Sequence, residues 1–322
     1  MSNEPFISII IPNYNHAPFL ETRISSVLNQ SYKNFEVIIL DDFSTDSSRD
    51  IIEKYKSHPQ ISHIIYNQEN SGSTFKQWNK GIALTSGEWI WIAESDDSAN
   101  EDFLRKMINH IANKDNIGIA YCQSMSIDAN NKVWGDCLMW TDDLDTNLWR
   151  RDFTLNGRDA IQKYLIVKNI IPNASACLIS KKALNDSNNA PINMKHSGDW
   201  FLWCNILLKY NLAYVHEALN LYRFHSSTTR TFHDISKFKN KVEEDCKVIN
   251  LIIANTIVDE NKIQNSLKKL ENDVYTYYKE SRQLPISLKK FKMIFTKYNL
   301  PVTISAFKLY KTYLSLLWKK LK

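Results

Sequence analysis

The chain has 322 residues, 43% hydrophobic and 23% charged, a composition suited to one large globular domain with an appendage. Seven glycines occur, none closer than six positions to another, which excludes a G-x-G-x-x-G dinucleotide fingerprint and a G-x-x-x-x-G-K phosphate loop. The net charge of +5 is unevenly spread: residues 282–322 carry one Arg, nine Lys and no acid, so a weakly acidic body bears a basic tail.

Five cysteines without C-x-x-C spacing argue against a zinc knuckle or a redox pair. No apolar run reaches the roughly 18 residues of a membrane span. The start, MSNEPFISIIIPNYN, lacks the basic and apolar regions of a signal peptide, so the cytoplasm is the expected compartment.

In chain order, Ile7–Ile11 and Phe35–Leu40 are continuous apolar runs that predict buried strands, with helical spacing over Phe19–Gln30 between them. Asp46–Tyr55 predicts a helix with Asp46 as N-cap. Then come a strand (Ile61–Tyr66), a helix (Thr74–Leu84), a strand (Trp89–Ile92), a helix (Asp102–Ile111) and a strand (Ile117–Tyr121). This alternation predicts an α/β fold with a mainly parallel, Rossmann-like sheet between helices. Residues 123–156 are irregular. Ala160–Val167 reads as a helix, Ala174–Ile179 as a strand, Asp199–Leu208 as a helix, and Leu212–Val215 and Leu219–Tyr222 as strands. From about residue 234 the pattern is helical.

Ligands of such sheets sit beyond the carboxyl ends of strands. Three of those ends are polar here: Pro12-Asn13-Tyr14-Asn15, Asp41-Asp42-Phe43-Ser44-Thr45-Asp46 and Glu94-Ser95-Asp96-Asp97. Crowded carboxylates repel unless a cation sits among them, and hard oxygen ligands suit Mg²⁺ or Mn²⁺. Taken alone, the acidic cluster reads equally well as a solvated loop that caps helices. Tyr14 can stack on a nucleobase or simply pack, and Asp42 can accept from a base imide N–H or cap a helix.

The ordered set Ile9-Ile10-Ile11-Pro12-Asn13-Tyr14-Asn15, Asp41 to Asp46, and Gly87 to Ile92 running into Ser95-Asp96-Asp97 resembles the family 2 glycosyltransferases of GT-A fold. A weaker likeness runs through Ser197-Gly198-Asp199 to Arg223-Phe224-His225. The resemblance implies inverting transfer of a sugar from a UDP- or dTDP-type donor to a saccharide hydroxyl, with a lipid-linked cell-surface glycan as the expected acceptor. It assigns Pro12, Tyr14, Asn15, Asp41, Asp42, Lys76 and Asp96 to the donor. It gives Asp96, Asp97 and His225 to a divalent metal and Asp199 to the catalytic base. Two positions depart from the family pattern: Glu94 stands where Asp is common, and Lys76 is the candidate phosphate cation near a helix that often carries Arg.

The expected organisation is a transferase domain over 1–230, with a nucleotide part to 125 and an acceptor part from 126, then a helical region over 231–322. Phe307, Tyr310, Leu314, Leu317 and Leu321 recur at helical spacing beside Trp318. Lys308, Lys311, Lys319 and Lys322 fill much of the remaining circumference. That pattern predicts an amphipathic helix on an anionic membrane surface, or one packed on the acidic body, rather than a nucleic-acid contact. A nucleotidyltransferase would need a Gly/Arg/Lys-rich turn after the first strand, where Pro12 to Asn15 stand instead. A catalytically silent sugar-nucleotide binder of the same fold is the alternative.

Overall fold

The computed structural model of the chain describes residues 4–225, 235–281 and 288–301. Strands β1 (Ile7–Asn13) and β2 (Phe35–Asp41) are buried along their whole length, as Ile- and Val-rich runs are when both sheet faces are covered. Between them runs α1 (Ala17–Leu28), with Pro18 in its first turn, where a missing N–H costs nothing. The chain continues through α2 (Ser48–Glu53), β3 (Ile61–Tyr66), α3 (Thr74–Leu84), β4 (Trp89–Ile92), β5 (Ser98–Ala99), α4 (Phe103–Ile111) and β6 (Ile117–Ile127). After a hairpin strand β7 (Val133–Asp136) come β8 (Phe153–Leu155), α5 (Gly157–Ala160), β9 (Cys177–Ser180), α6 (Lys181–Asp186), α7 (Gly198–Leu207) and β10 (Asn211–Arg223). Three helices follow: α8 (Ile235–Asn255), α9 (Glu260–Ser281) and α10 (Leu288–Lys297).

The strand order is β3-β2-β1-β4-β9-β6-β10-β5, with β7 on β6 and β8 on β10. The mainly parallel expectation holds for β3, β2, β1 and β4, and for β6 with β10. β9 departs from it, lying antiparallel between β4 and β6. The two strands expected over 212–222 are one strand whose register slips between Val215 and Ala218. The helix expected at Ala160–Val167 is α5 running into a π-helical turn, Ile161–Leu165.

Alternation along each strand sends side chains to opposite faces. Ile7, Ile9 and Ile11 pack with α1 and α4, through residues such as Ile24 and Phe103. Ile10, Ile38 and Ile92 pack with α3 and α7. The second cluster continues without a break into Val242 and Ile249 of α8, Leu270 of α9 and Phe295 of α10. The C-terminal helices therefore share a core with the sheet. The expected junction at 230–231 and the amphipathic tail from Phe307 onward lie outside the described residues. No helix among the described residues is long and apolar enough to cross a membrane.

At the edge opposite the polar strand ends, Glu36 ties β1, β2 and the approach to β4 together. Its Oε1 accepts from Ser8 Oγ at 2.7 Å, Ser86 N at 2.8 Å and Ser86 Oγ at 2.6 Å. A side chain at neighbouring Gly87 would put its Cβ 2.6 Å from Ser8 N, so only glycine fits this close approach. Burial opposes the Glu36 charge, but the Ser86 and Ser8 bonds outweigh it and hold the carboxyl below its usual range. The stability Glu36 contributes is present above the unfolded-chain value and is lost as pH falls through the lowered native one. Glu36→Ala is expected to cost about 2–3 kcal/mol at neutral pH, through the donors it strands. It should also flatten the acid limb of stability against pH, measured by urea unfolding at a series of pH values.

Candidate active site

The turns after β1 and β2 are stitched together by side chains. Asn13 Nδ2 donates to Asp41 Oδ1 at 3.0 Å and to Ser44 Oγ at 3.1 Å. Thr45 N donates to Asn15 Oδ1 at 2.7 Å, and Ala17 N to Asp46 Oδ2 at 2.9 Å. Asp46 thus reaches the start of α1 as well as accepting from Ser48 N near the start of α2. Phe43 is held at φ +66°, a strained conformation for a bulky residue that this stitching over-determines. The result is two exposed aromatic faces at one edge, Tyr14 (45% exposed) and Phe43 (42%). Asp41 is fully buried and shapes the turn, accepting from Ser44 N and Arg49 Nε. Pro12 is buried within β1, opposite Leu40.

Asp42 is also buried. Its carboxylate receives Asn67 Nδ2 at 2.6 Å, Ser71 N and Gln77 Nε2 at 2.9 Å, and Ser71 Oγ at 2.8 Å. The acceptor expected for a base N–H is thereby filled by the chain itself, which fixes the segment leading into α3. Exposed Lys76 stands in the first turn of that helix, with Nζ on Ser71 O at 3.2 Å.

The third strand end gathers the ionisable groups. His16, Asp96 and His225 each bring a ligand atom within 4.8 Å of the others. His225 Nε2 lies 3.1 Å from Asp96 Oδ2. His16 Nδ1 pairs with Ser95 Oγ at 2.8 Å, which orients the ring and leaves Nε2 for a ligand. Burial lowers the His16 pKa, favouring the neutral, ligating form. Burial opposes charge on Asp96 too, but the hydrogen bond with His225 and the electrostatic influence of the adjoining imidazoles hold its carboxyl below the usual range. Two imidazoles and a carboxylate form a mixed nitrogen and oxygen donor set of the kind that can hold a divalent transition-metal ion such as Mn²⁺.

The expected trio of Asp96, Asp97 and His225 is regrouped: His16 joins, and Asp97 turns inward. Asp97 Oδ1 accepts from Arg223 N at 2.8 Å and Oδ2 from Asn173 Nδ2 at 3.0 Å, with Arg23 Nη2 at 4.0 Å. Both of its oxygens are thus engaged by the protein. Burial and then the neighbouring Asp96 charge push the Asp97 carboxyl up to about 7. Burial likewise pushes Glu94, which accepts from Trp78 Nε1 at 2.8 Å, up to about 8. The Asp-to-Glu departure thus places a carboxyl held above its usual range two residues before Asp96.

Asp199 opens α7 on the other side of α3. A Cβ at Gly198 would lie 2.5 Å from Phe75 Cε2, so glycine lets the two helices meet. Asp199 Oδ2 accepts from Asn169 Nδ2 at 3.0 Å, and Oδ1 from Trp200 N at 2.7 Å. The preceding loop is held from α8. Glu244 accepts the N–H groups of Lys195, His196 and Ser197, each at 2.8 Å, and Ser197 Oγ donates to Asp245 Oδ1 at 2.5 Å. Sequence reading missed Glu244, since nothing local marks one acid on a charged helix. It missed His16 as well, although that residue directly follows the polar turn after β1.

Glu244→Ala leaves three amides without their acceptor and is expected to cost about 2–4 kcal/mol. Hydrogen exchange should accelerate over 195–199 and stay unchanged over β4 and the 94–97 turn. Equal protection in the variant would show that α8 does not hold this loop.

Comparison with known proteins bears on the family and the fold. The chain is 25% identical over 306 residues to the glycosyltransferase GlyG of Streptococcus pneumoniae, covering 88% of this chain and 95% of that one. It is 26% identical over 222 residues to a Campylobacter jejuni GalNAc(5)-diNAcBac-PP-undecaprenol beta-1,3-glucosyltransferase, covering 68% of this chain and 65% of that one. The crystal structure of S. aureus TarS 1–349 in complex with UDP-GlcNAc superposes with a TM-score of 0.68 at 17% identity, over 92% of this chain and 81% of that one. At that identity the match speaks to the fold, which is GT-A. The sequence profile of glycosyl transferase family 2 matches residues 8–184. Because that match spans more than half of the chain, the protein belongs to glycosyl transferase family 2 and is a glycosyltransferase.

Proposed function

We propose that the enzyme moves a sugar, with inversion at its anomeric carbon, from a UDP- or dTDP-type nucleotide sugar to a hydroxyl of a lipid-linked saccharide in cell-surface glycan synthesis. The observation that carries the reading is the meeting of His16, Asp96 and His225 at a strand edge flanked by exposed Tyr14 and Phe43. The UDP-GlcNAc held by TarS supports the donor class, and the undecaprenol-linked substrate named for the C. jejuni relative supports the acceptor class. The basic stretch from Arg282 supports apposition to an anionic membrane surface, where such acceptors reside.

His16, Asp96 and His225 would hold Mn²⁺ or Mg²⁺, which when bound neutralises the charge that a departing diphosphate develops. Tyr14 and Phe43 offer ring faces to the nucleobase. Asp42 acts at one remove, by fixing the segment that presents Lys76 to the phosphates. Asp199 takes the proton of the acceptor hydroxyl as its oxygen bonds to the anomeric carbon and the bond to the diphosphate oxygen breaks. A direct displacement of this kind needs no protein nucleophile. All five cysteines are buried, and burial pushes the Cys122 thiol up to about 12, which leaves it unreactive.

Calorimetry with UDP is expected to show at least roughly ten-fold tighter binding with Mn²⁺ than in EDTA, since a cation held by His16, Asp96 and His225 would offset the charge of the diphosphate. Equal affinity would contradict the metal site. Asp199→Asn should keep UDP affinity and lose transfer by a factor of about 10² or more. Unchanged turnover would remove Asp199 from the base role.

A further inference from the structure

We propose that the exposed segment from Trp134 to Trp140 is the acceptor subsite, with the face of the Trp140 indole serving as platform for a pyranose ring. The proposal rests on the reading of Asp199 as the base. Exposed large hydrophobic residues scattered singly need no explanation, but a cluster does. Trp134 is 61% exposed, Met139 84% and Trp140 42%, all within seven positions. The segment is anchored: β7 pairs with β6, and Cys137 N donates to Ser124 O at 2.9 Å.

Two contacts join this strip to the site. The Trp134 ring lies 5.7 Å from that of Phe224, the residue before His225. Trp140 Nε1 donates to Asn169 O at 2.8 Å, and the same Asn169 donates from Nδ2 to Asp199 Oδ2 at 3.0 Å. One residue therefore separates the indole from the base. The polar edge of the indole is satisfied and Lys168 Nζ lies 5.9 Å from the ring centroid, while 42% of the residue stays open to solvent. Such a surface matches a sugar, whose C–H face packs on a π face while its hydroxyl rim turns to polar neighbours. The cations nearby are paired, Lys168 with Asp143 and Arg150 with Asp142, and the strip itself carries an acid, Asp136, which suits a neutral ring better than a polyanion.

The test uses the full chain with Mn²⁺ and UDP, and methyl β-glucopyranoside and methyl N-acetyl-β-glucosaminide as probes in saturation-transfer NMR. Wild type should pass saturation to the ring C–H protons of at least one glycoside. Trp140→Ala should weaken that glycoside about five- to ten-fold, the size of one aromatic stacking contact, and Trp140→Phe should retain most of the affinity. UDP affinity by calorimetry should be the same in all three. The proposal is overturned if wild type binds neither glycoside, if Trp140→Ala binds as wild type does, or if UDP affinity falls in parallel, which would make the indole structural. It is also overturned if Trp140→Ala lowers co-sedimentation with phosphatidylglycerol vesicles while glycoside binding is unchanged, since the strip would then contact lipid. Absence of UDP binding by wild type would instead defeat the donor reading, and the glycoside titrations would still judge the platform.

Discussion

The buried carboxylate of Asp97 joins three parts of the chain that are remote in sequence. It receives the backbone N–H of Arg223 and the side chain of Asn173, and it faces the fully buried guanidinium of Arg23. Arg223 in turn donates from Nε to Asp96 O at 2.6 Å, and from its two terminal nitrogens to Asp128 O and Asn131 Oδ1, both at 2.7 Å. The end of β10 is thereby locked onto the turn after β4, and His225, two residues further on, arrives beside Asp96. Burying these charges is costly, as the raised Asp97 value and the lowered Arg23 value of about 10 both reflect. Removing one partner of such a pair costs about 3–5 kcal/mol, because the other charge is left buried and unpaired.

The start of α7, which carries Asp199, is organised by the same kind of device. Buried Glu244 takes three consecutive amides ahead of α7, so Asp199 is aimed from a helix that sequence order puts in the C-terminal region. α3 lies between the two halves. Phe75 packs against Gly198, and Trp78 lies near Trp203 of α7 while donating to Glu94 below the histidine cluster. One packed helix thus touches both α7 and the turn after β4.

Much of the sheet was legible because local pattern decides it. The apolar runs at Ile7–Ile11 and Trp89–Ile92 and the helical spacing of Thr74–Leu84 needed no distant information. β9 was read as a strand, but its antiparallel direction depends on how the chain returns from residues 128–176, which periodicity does not encode. β10 looked like two strands because His216 and Glu217 interrupt its apolar run at the register slip. In the site, the acidic turn was visible but the division of labour within it was not. Asp96 and Asp97 are chemically identical neighbours, and what turns Asp97 inward is Asn173 and Arg223, far along the chain. His16 stood beside the motif, yet it joins the cluster only because Ser95 is folded against it. Glu244 had no local signal at all.

We propose that the clamp brings two imidazoles and the Asp96 carboxylate within reach of one cation, with Asp97 held by the protein instead. Electron spin-echo modulation of Mn²⁺ bound together with UDP reads imidazole nitrogens directly. The account predicts two histidine nitrogen couplings, one lost in His16→Ala and the other in His225→Ala, with both retained in Asp97→Asn if that variant still binds the metal. A spectrum without histidine nitrogen, or one that His16→Ala leaves unchanged, would contradict it.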